Sequence, residues 1–185
     1  RAFGLRLTLR NEVRAAVAYA YIRLGPGRRC MEVGTQDGGH AAIMCEVMSP
    51  SVMVCVDPWC DIRWEDGRTE VYSADSYSKA VNTLSKYSAS LVRGKSQDEL
   101  PKMPDDSFDF VYIDGDHSAE VCAQDIRQAL RLVTLYGVVG GHNCNVLPQV
   151  VNRTRHVVSV PGAVSAVFDG HYVDGLGSDW WVTVT

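Results

Sequence analysis

Three closely spaced glycines follow an apolar run early in the chain, in the sequence CMEVGTQDGG from Cys30 to Gly39. Glycine lacks a Cβ, so Gly34, Gly38 and Gly39 permit a sharp turn and a close approach of the backbone to a ligand. A helix that begins after them would offer free N–H groups to the same ligand. A second apolar run ends in Asp57, about 20 residues on, where an acid can accept hydrogen bonds from ribose hydroxyls. Together, the glycine loop and the acid predict a site for a nucleoside-containing ligand.

Polar side chains also follow each of the later apolar runs. In an open α/β sheet the ligand lies beyond the carboxyl ends of the strands, so residues at those ends are the candidates. They carry acid, hydroxyl and imidazole groups, which bind ligands and transfer protons. The candidates are Glu32 to Thr35, Asp57, Lys95-Ser96, Asp114 to His117 and His142-Asn143. Their recurrence at successive strand ends favours one site over chance loop polarity.

The same residues also have structural interpretations. Glu32 could cap a neighbouring helix, and Asp57, which precedes Pro58, could form a turn. His117 could stand in the first turn of a helix without taking part in chemistry, and His142 could likewise be only a structural residue. The glycine loop favours the functional interpretation of Glu32 and Asp57.

Alternating strand and helix patterns would position these residues. Strands are predicted at Arg29 to Gly34, Val52 to Asp57, Ala89 to Arg93, within SFDFVYIDGDH (Ser107 to His117), in the VVGG run after a turn at Tyr136-Gly137, and at Ser178 to Thr185. Helices are predicted at Arg10 to Leu24, His40 to Met48, Ser76 to Tyr87, from Ser118 through Val133, and at Leu147 to His156. Strands that alternate with helices indicate a mainly parallel sheet with helices on both faces.

Length and charge limit the possible architectures. A chain of 185 residues fits a single domain, 1–185, with residues 1–27 as an N-terminal helical extension. The net charge of −4, from 18 basic and 22 acidic residues, is mixed along the chain, which argues against a dedicated nucleic-acid surface. No apolar stretch approaches the roughly 18 residues of a membrane span. We therefore expect a soluble, cytoplasmic protein with a small-molecule partner, and a homo-oligomer is compatible with the sequence.

Two further features leave alternatives open or are set aside. Residues 58–76 are charged and aromatic and too long for a tight turn, so they could form a lid over the site or only a mobile connection. The six cysteines lie mostly inside strand or helix patterns and contain no CxxC pair. We interpret them as small core residues and not as zinc ligands.

The order of motifs resembles that of a known family. EVGTQDGG, VDPW, KSQDELP, FDFVYIDGDHSAE and GVVGGHN follow one another between residues 28 and 150. They are similar to the class I S-adenosylmethionine-dependent methyltransferases, and most similar to the small-molecule branch with an IDGDHSYE-type motif. The resemblance implies an α/β, Rossmann-like, doubly wound sheet of seven mainly parallel strands with an antiparallel last strand. It also implies methyl transfer to a hydroxyl of a small acceptor such as a sugar or natural product.

The resemblance implies roles for individual residues. Glu32 would lie near the methionine amino group, Asp57 on the ribose, Ser96 at the adenine, and Asp114 would face both methionine and acceptor. His117 is where several relatives place a general base, and Asp114 and His142 complete the predicted catalytic group. The full set of predicted cofactor contacts is Glu32, Gly34, Thr35, Gly38, Asp57, Trp59, Ser96 and Asp114.

One departure from the family pattern concerns a metal. In metal-dependent relatives, acids at these strand ends hold a divalent ion against the acceptor hydroxyls. Where the branch commonly has His-Asp-Tyr, this chain has His142-Asn143-Cys144, so a carboxylate is missing. Asp114 and Asn143 are then the candidate ligands for Mg²⁺, which favours oxygen donors and carboxylates. The missing acid predicts a weakened site or none.

Two other functions compete with methyl transfer. A dinucleotide-binding oxidoreductase would share the strand, the glycine loop and Asp57, but its usual GxGxxG spacing differs from Gly34-xxx-Gly38-Gly39. A binding module that keeps the cofactor pocket without turnover is the second alternative, and the missing acid after His142 supports it. Turnover measured with bound cofactor would separate these alternatives from methyl transfer.

Overall fold

A seven-stranded sheet forms the centre of the molecule. The computed structural model describes residues 13–60, 62–63, 69–70, 75–144, 160–169 and 173–185. The strands of the central sheet are β1 (Arg29–Val33), β2 (Val52–Asp57), β5 (Ala89–Arg93), β6 (Phe108–Ile113), β7 (Val133–Gly141), β8 (Asp174–Leu176) and β9 (Asp179–Thr183). Two further short strands, β3 (Ile62–Arg63) and β4 (Thr69–Glu70), pair antiparallel with each other.

The order of the strands across the sheet is β5-β2-β1-β6-β7-β9-β8. The first five run parallel, β9 pairs antiparallel with β7, and β8 pairs antiparallel with β9 at the edge. Parallel strands covered on both faces read as continuous apolar runs, as β2 and β6 do. The predicted α/β fold, with seven strands and an antiparallel last segment, is confirmed.

Helices cover both faces of the sheet, as expected for a doubly wound fold. They are α1 (Ala15–Leu24), α2 (Gly39–Met48), α3 (Asp75–Leu84), α4 (Ser96–Glu99), α5 (Ala119–Leu132) and α6 (Val160–Val167), with a 3₁₀ turn at Leu100–Lys102. Phe110 and Tyr112 of β6 pack into a core with α1 and α2. The alternate residues Val111 and Ile113 pack with α5 and α6 on the other side. The period of two along a strand therefore divides the core into two layers.

Strand β7, which ends just before His142, is longer than the sequence predicts. The turn expected at Tyr136-Gly137 is instead part of β7, which begins at Val133. Tyr136 has a φ of +67°, and its N–H donates to the carbonyl of Val184 at 2.8 Å, while the Val184 N–H donates to Gly137. The turn prediction was wrong because these distant backbone partners let the strand continue through an irregular residue.

Other differences lie at the ends of elements. The first helix was predicted from Arg10 but begins at Ala15, and residues 10–12 lie outside the described part of the chain. The helix predicted at Leu147 to His156 also lies outside it. Strand β8 and helices α4 and α6 were not predicted. No helix among the described residues has the length and apolar character needed to cross a membrane.

Candidate active site

The glycine loop joins β1 to α2 at the carboxyl edge of the sheet. Gly34 and Gly38 have φ values of +88° and +82°, a region that favours glycine. A Cβ on Gly34 would overlap the Asp114 carbonyl and lie 2.6 Å from the Cα of Gly115. Glycine is thus required at position 34 by the packing of two strand ends, and this contact places the loop directly beside Asp114.

Asp57 shapes the same loop from the end of β2. Its two carboxylate oxygens accept the N–H of Gln36 at 2.9 Å and the N–H of Trp59 at 2.7 Å. The Trp59 indole donates in turn to the Gln36 carbonyl at 2.6 Å. Asp57 and Trp59 are both buried, so they hold the loop in shape. Each carboxylate oxygen of Asp57 keeps a further acceptor site, and the ribose role remains a prediction.

A buried acid and a histidine face each other beneath this loop. Glu32, 1% exposed, lies at the end of β1, and its Oε1 is 2.6 Å from Nδ1 of His40 in the first turn of α2. The other atoms of the pair, Glu32 Oε2 and His40 Nε2, are buried and have no hydrogen-bond partner among the described residues. The His40 ring also packs against Tyr112, with ring centroids 4.5 Å apart. Buried polar atoms without partners are rare in proteins and indicate a missing partner such as a ligand.

Asp114, directly after β6, is held by the guanidinium of Arg14 and the imidazole of His117. Arg14 Nη1 donates to its Oδ2 at 2.5 Å, and His117 Nε2 lies 3.3 Å from its Oδ1. Arg14 Nη1 also donates to the Tyr112 hydroxyl at 3.0 Å. Burial raises the pKa of the Asp114 carboxyl, but the His117 hydrogen bond and the Arg14 charge outweigh it and lower the pKa below its ordinary value. Asp114 is therefore a carboxylate in the folded protein.

His142, after β7, is paired with a buried acid from β9. Its Nδ1 lies 2.9 Å from Oδ1 of Asp179, which is 4% exposed. The Tyr112 hydroxyl donates to the same oxygen at 3.0 Å, and the Ala16 N–H donates to Oδ2 at 3.0 Å. Asp179 accepts hydrogen bonds from these donors, and a carboxylate can only accept from His142 as well. The His142 Nδ1 therefore carries the proton, and Nε2 has the lone pair that can act as a base.

The predicted metal ligands are engaged with other groups. The Asp114 oxygens face Arg14 and His117, as described above. The Asn143 amide nitrogen lies 3.2 and 3.1 Å from the two ring nitrogens of His117. Among the described residues, no group of three or more His, Cys, Asp or Glu side chains is placed to hold a metal ion. This donor set does not fit a divalent cation, because a guanidinium already lies on the one carboxylate it contains.

Ser96 begins α4 after β5 and contacts a buried acid on α5. The hydrogen bond of Ser96 and burial act in opposite senses on Asp125, and burial dominates, raising its pKa from 3.8 to about 7. Asp125 is 1% exposed, and its Oδ2 has no hydrogen-bond partner among the described residues. A Cβ on Gly115 would lie 3.8 Å from that oxygen. Asp125 therefore lies beside the strand end that carries Asp114, and Ser96 is bound to Asp125.

The structure brings most of the predicted site residues to one edge. Asp57 contacts the glycine loop at Gln36, Gly34 of that loop lies against Asp114, and side-chain contacts join Asp114 and Asn143 to His117. Thr35 is buried beside them, within the loop. Sequence reasoning missed Arg14, His40, Asp125 and Asp179. One of them could have been suspected from the sequence. Asp179 directly precedes two tryptophans in a predicted strand, and an acid that is buried with them would require a partner.

Four of the six cysteines are core residues as predicted, whereas Cys60 is not. Cys30, Cys45, Cys55 and Cys122 are buried thiols in the core, Cys144 is half-buried and Cys60 is exposed. Burial raises the pKa of Cys45 to about 11 and that of Cys30 to about 12, so both remain protonated and unreactive.

Comparison with known families assigns the fold a chemical class. A family model described as "Methyltransferase domain" matches residues 31–144, well over half of the chain. The chain belongs to this methyltransferase family. The match begins within β1 and ends after His142 and Asn143, so it contains the glycine loop and the four other strand ends described above, those of β2, β5, β6 and β7. Arg14 and Asp179 lie outside it. No curated protein matches the sequence.

Solved structures of methyltransferases share the fold. An O-methyltransferase from Bacillus cereus in complex with SAH aligns with a TM-score of 0.67 at 18% identity, covering 92% of this chain and 79% of that one. The O-methyltransferase TomG from Streptomyces achromogenes, involved in tomaymycin synthesis and in complex with SAM, aligns with a TM-score of 0.64 at 15% identity, covering 92% and 78%. At these identities the likeness is one of fold.

Proposed function

We propose that this methyltransferase transfers the methyl group of S-adenosyl-L-methionine to a hydroxyl oxygen of a small molecule, such as a sugar or natural product. The observation that carries the proposal is the buried Glu32–His40 pair, which leaves one carboxylate oxygen and one imidazole nitrogen without partners beneath the glycine loop. An amino acid headgroup offers the ammonium and carboxylate that such a pair can bind. The nicotinamide dinucleotide of the rival oxidoreductase has no ammonium group, so it would offer no such partner to Glu32 Oε2. The cofactors bound in the O-methyltransferases of the same fold support this choice.

The chain's own residues would hold this cofactor along the strand ends. Glu32 would accept the ammonium, with Gly34, Thr35 and Gly38 forming the backbone of the loop around it. Asp57, fixed by Trp59, would accept the ribose hydroxyls, and Ser96 would contact the adenine. Asp114 would face the methionine portion and the acceptor. When bound, the cofactor supplies a methyl group activated by its positive sulfur.

Calorimetry with S-adenosylhomocysteine tests the cofactor assignment. Glu32→Gln keeps the shape of the side chain and removes its charge, so we expect the dissociation constant to rise about 10- to 100-fold, the range for a hydrogen bond to a charged group. NAD should not bind. Glu46→Gln is the matched control, because that glutamate lies on α2 but contacts Tyr87 and Lys86 at the surface. Equal affinity of Glu32→Gln and the wild type would remove Glu32 from the site.

The acceptor proton needs a base, and two histidines compete for that role. His117 was the first choice from the sequence, but its contact with Asp114 is long, and Asn143 approaches both ring nitrogens at nearly equal distance. His142 has a short contact with a buried carboxylate that fixes its tautomer. We infer that His142 Nε2 takes the hydroxyl proton as the oxygen–methyl bond forms, and that Asp179 stabilises the imidazolium that results.

Formation of S-adenosylhomocysteine with a panel of phenols and sugars separates the two histidines. His142→Gln should lower turnover by about 10²–10⁴, the usual contribution of a general base, with little change in cofactor affinity. His117→Gln should lower it much less. If the order is reversed, His117 is the base and the Asp179 pair is structural. The small-molecule acceptor and a cytoplasmic location remain predictions.

A further inference from the structure

We propose that Arg14 is a positioning residue that supplies the positive charge at Asp114, so that the site works without a divalent cation. The inference rests on the proposed function, which places Asp114 beside the acceptor. The observation that carries it is the contact of one guanidinium nitrogen with both Asp114 and Tyr112. Arg14 lies outside residues 31–144, which match the family model, so the charge comes from a segment that the family pattern does not include.

The guanidinium is placed by the start of α1 and not by a flexible side chain alone. The N–H of Ala16 donates to Oδ2 of Asp179 at 3.0 Å, which anchors the first turn of the helix to β9. Ala16, Val17 and Ala20 are fully buried against the sheet. The Arg14 side chain is 26% exposed and its guanidinium carbon lies 5.4 Å from the centre of the Tyr112 ring. The charge is therefore held over the end of β6 before any ligand arrives.

A divalent cation and this guanidinium would compete for the same carboxylate. Asp114 is 18% exposed in its side chain and points one oxygen at Arg14 and the other at His117. A cation on Oδ2 would lie against the guanidinium and be repelled by it. Arg presents planar N–H donors that suit a carboxylate, and it cannot lose its proton. Arg14 thus does two things that a bound metal ion would do: it fixes the Asp114 carboxylate in place and balances its negative charge.

The pair also explains why Asn143 is tolerated in place of an acid. A cation cage needs several oxygen donors, usually with carboxylates among them. An ion pair needs one carboxylate for one guanidinium, so a second acid at position 143 would leave an unbalanced negative charge close to Asp114. The neutral amide instead contacts His117.

Binding of Mn²⁺ to the protein without cofactor or acceptor tests the inference. The free ion can be counted by electron paramagnetic resonance in wild type, Arg14→Gln, Arg14→Lys and Arg14→Gln/Asp114→Asn. We expect Arg14→Gln to bind Mn²⁺ at least tenfold more tightly than the wild type, because it exposes the Asp114 carboxylate. Arg14→Lys should keep the wild-type behaviour, and the double variant should lose the gain.

A matched control comes from a second Arg–Asp pair, in which the arginine lies on β1 and the aspartate on β6. Arg29 Nη2 contacts Asp109 at 2.9 Å at the opposite end of β1 and β6, so Arg29→Gln also breaks an Arg–Asp pair but should not alter Mn²⁺ binding. Wild-type binding as tight as that of Arg14→Gln, or no gain in Arg14→Gln, would overturn the inference. Failure of the proposed function would appear separately, as absence of S-adenosylhomocysteine binding in the wild type.

Thermal unfolding keeps the test decisive if Arg14→Gln folds poorly. Removing the guanidinium leaves a largely buried carboxylate without its cation, whereas the double variant leaves neither charge. The double variant should therefore melt at a higher temperature than Arg14→Gln alone. A melting temperature equal to or below that of Arg14→Gln would contradict the pairing.

Discussion

Asp125 is a buried acid whose protonation links stability to pH. Its pKa is raised to about 7, first by burial, against roughly 3.9 in an unfolded chain. The folded protein therefore binds the proton more tightly, and stability is lost as pH rises from about 4 through 7. We expect Asp125→Asn to raise the free energy of unfolding at pH 8, by at most about 4 kcal/mol, and to change it little at pH 4.

Urea unfolding followed by circular dichroism at several pH values measures this effect. Asp98→Asn serves as a control, because Asp98 is exposed on the neighbouring α4. An equal effect of Asp125→Asn at pH 4 and pH 8 would mean that the carboxyl does not change its protonation between these values in the folded state.

The identity of the site residues was partly readable from the sequence. Acids and histidines after apolar runs, such as Asp114 and His142, could be predicted because parallel strands end at one edge of a sheet. Their partners could not, since Arg14 and Asp179 are separated from them along the chain and meet them only through tertiary packing. A sequence pattern specifies which residues stand at strand ends, but not which distant side chain neutralises them.

At the level of elements, the turn between β1 and α2 depends on one glycine. Gly34→Ala would strain a φ of +88° and also force a Cβ into the backbone of Asp114 and Gly115. Gly27→Ala is the matched control, because its φ is +78° but nothing lies within 4 Å of the added atom. We expect about 1–2 kcal/mol of destabilisation from the control, due to conformation alone, and clearly more from Gly34→Ala.

Melting temperatures provide the measurement, since 1 kcal/mol corresponds to about 2–4 °C in a chain of this size. Gly34→Ala should also weaken binding of S-adenosylhomocysteine, whereas Gly27→Ala should not. Similar losses in both variants would show that the contact between the ends of β1 and β6 contributes little.

The first helix, α1, was predicted from the sequence, but its contacts were not. Its amphipathic stripe was visible in the sequence. Because the family resemblance covers only residues 28–150, the helix was interpreted as an N-terminal extension. In the structure, the Tyr19 ring stacks on Trp181 with centroids 5.3 Å apart, and its hydroxyl contacts Thr183. These contacts to β9 make α1 a part of the domain's core layer, and no local pattern could have specified that partner.

At the level of the whole molecule, alternation of strands and helices was enough to predict a doubly wound α/β fold. The number of strands and the antiparallel last strand were not contained in that alternation and came from the resemblance to a family, and the order of the strands was not predicted. The edge strand β8 is only three residues long, too short for a recognisable alternating pattern. The antiparallel pairing of β9 with β7 then completes the side of the sheet on which α1 rests.

The anchoring of Ala16 to Asp179 has a consequence for the timing of folding. These two residues are 163 positions apart in the chain, and the links from Arg14 to Tyr112 and Asp114 span 98 and 100 positions. At about 5–20 residues per second of synthesis, roughly 10 to 30 s pass between the appearance of Arg14 and that of Asp179. Contacts of such high sequence separation form slowly. The glycine loop of a nascent chain is therefore synthesised long before the contacts of Arg14 and Asp179 can form. We expect activity to appear as one of the last events of folding.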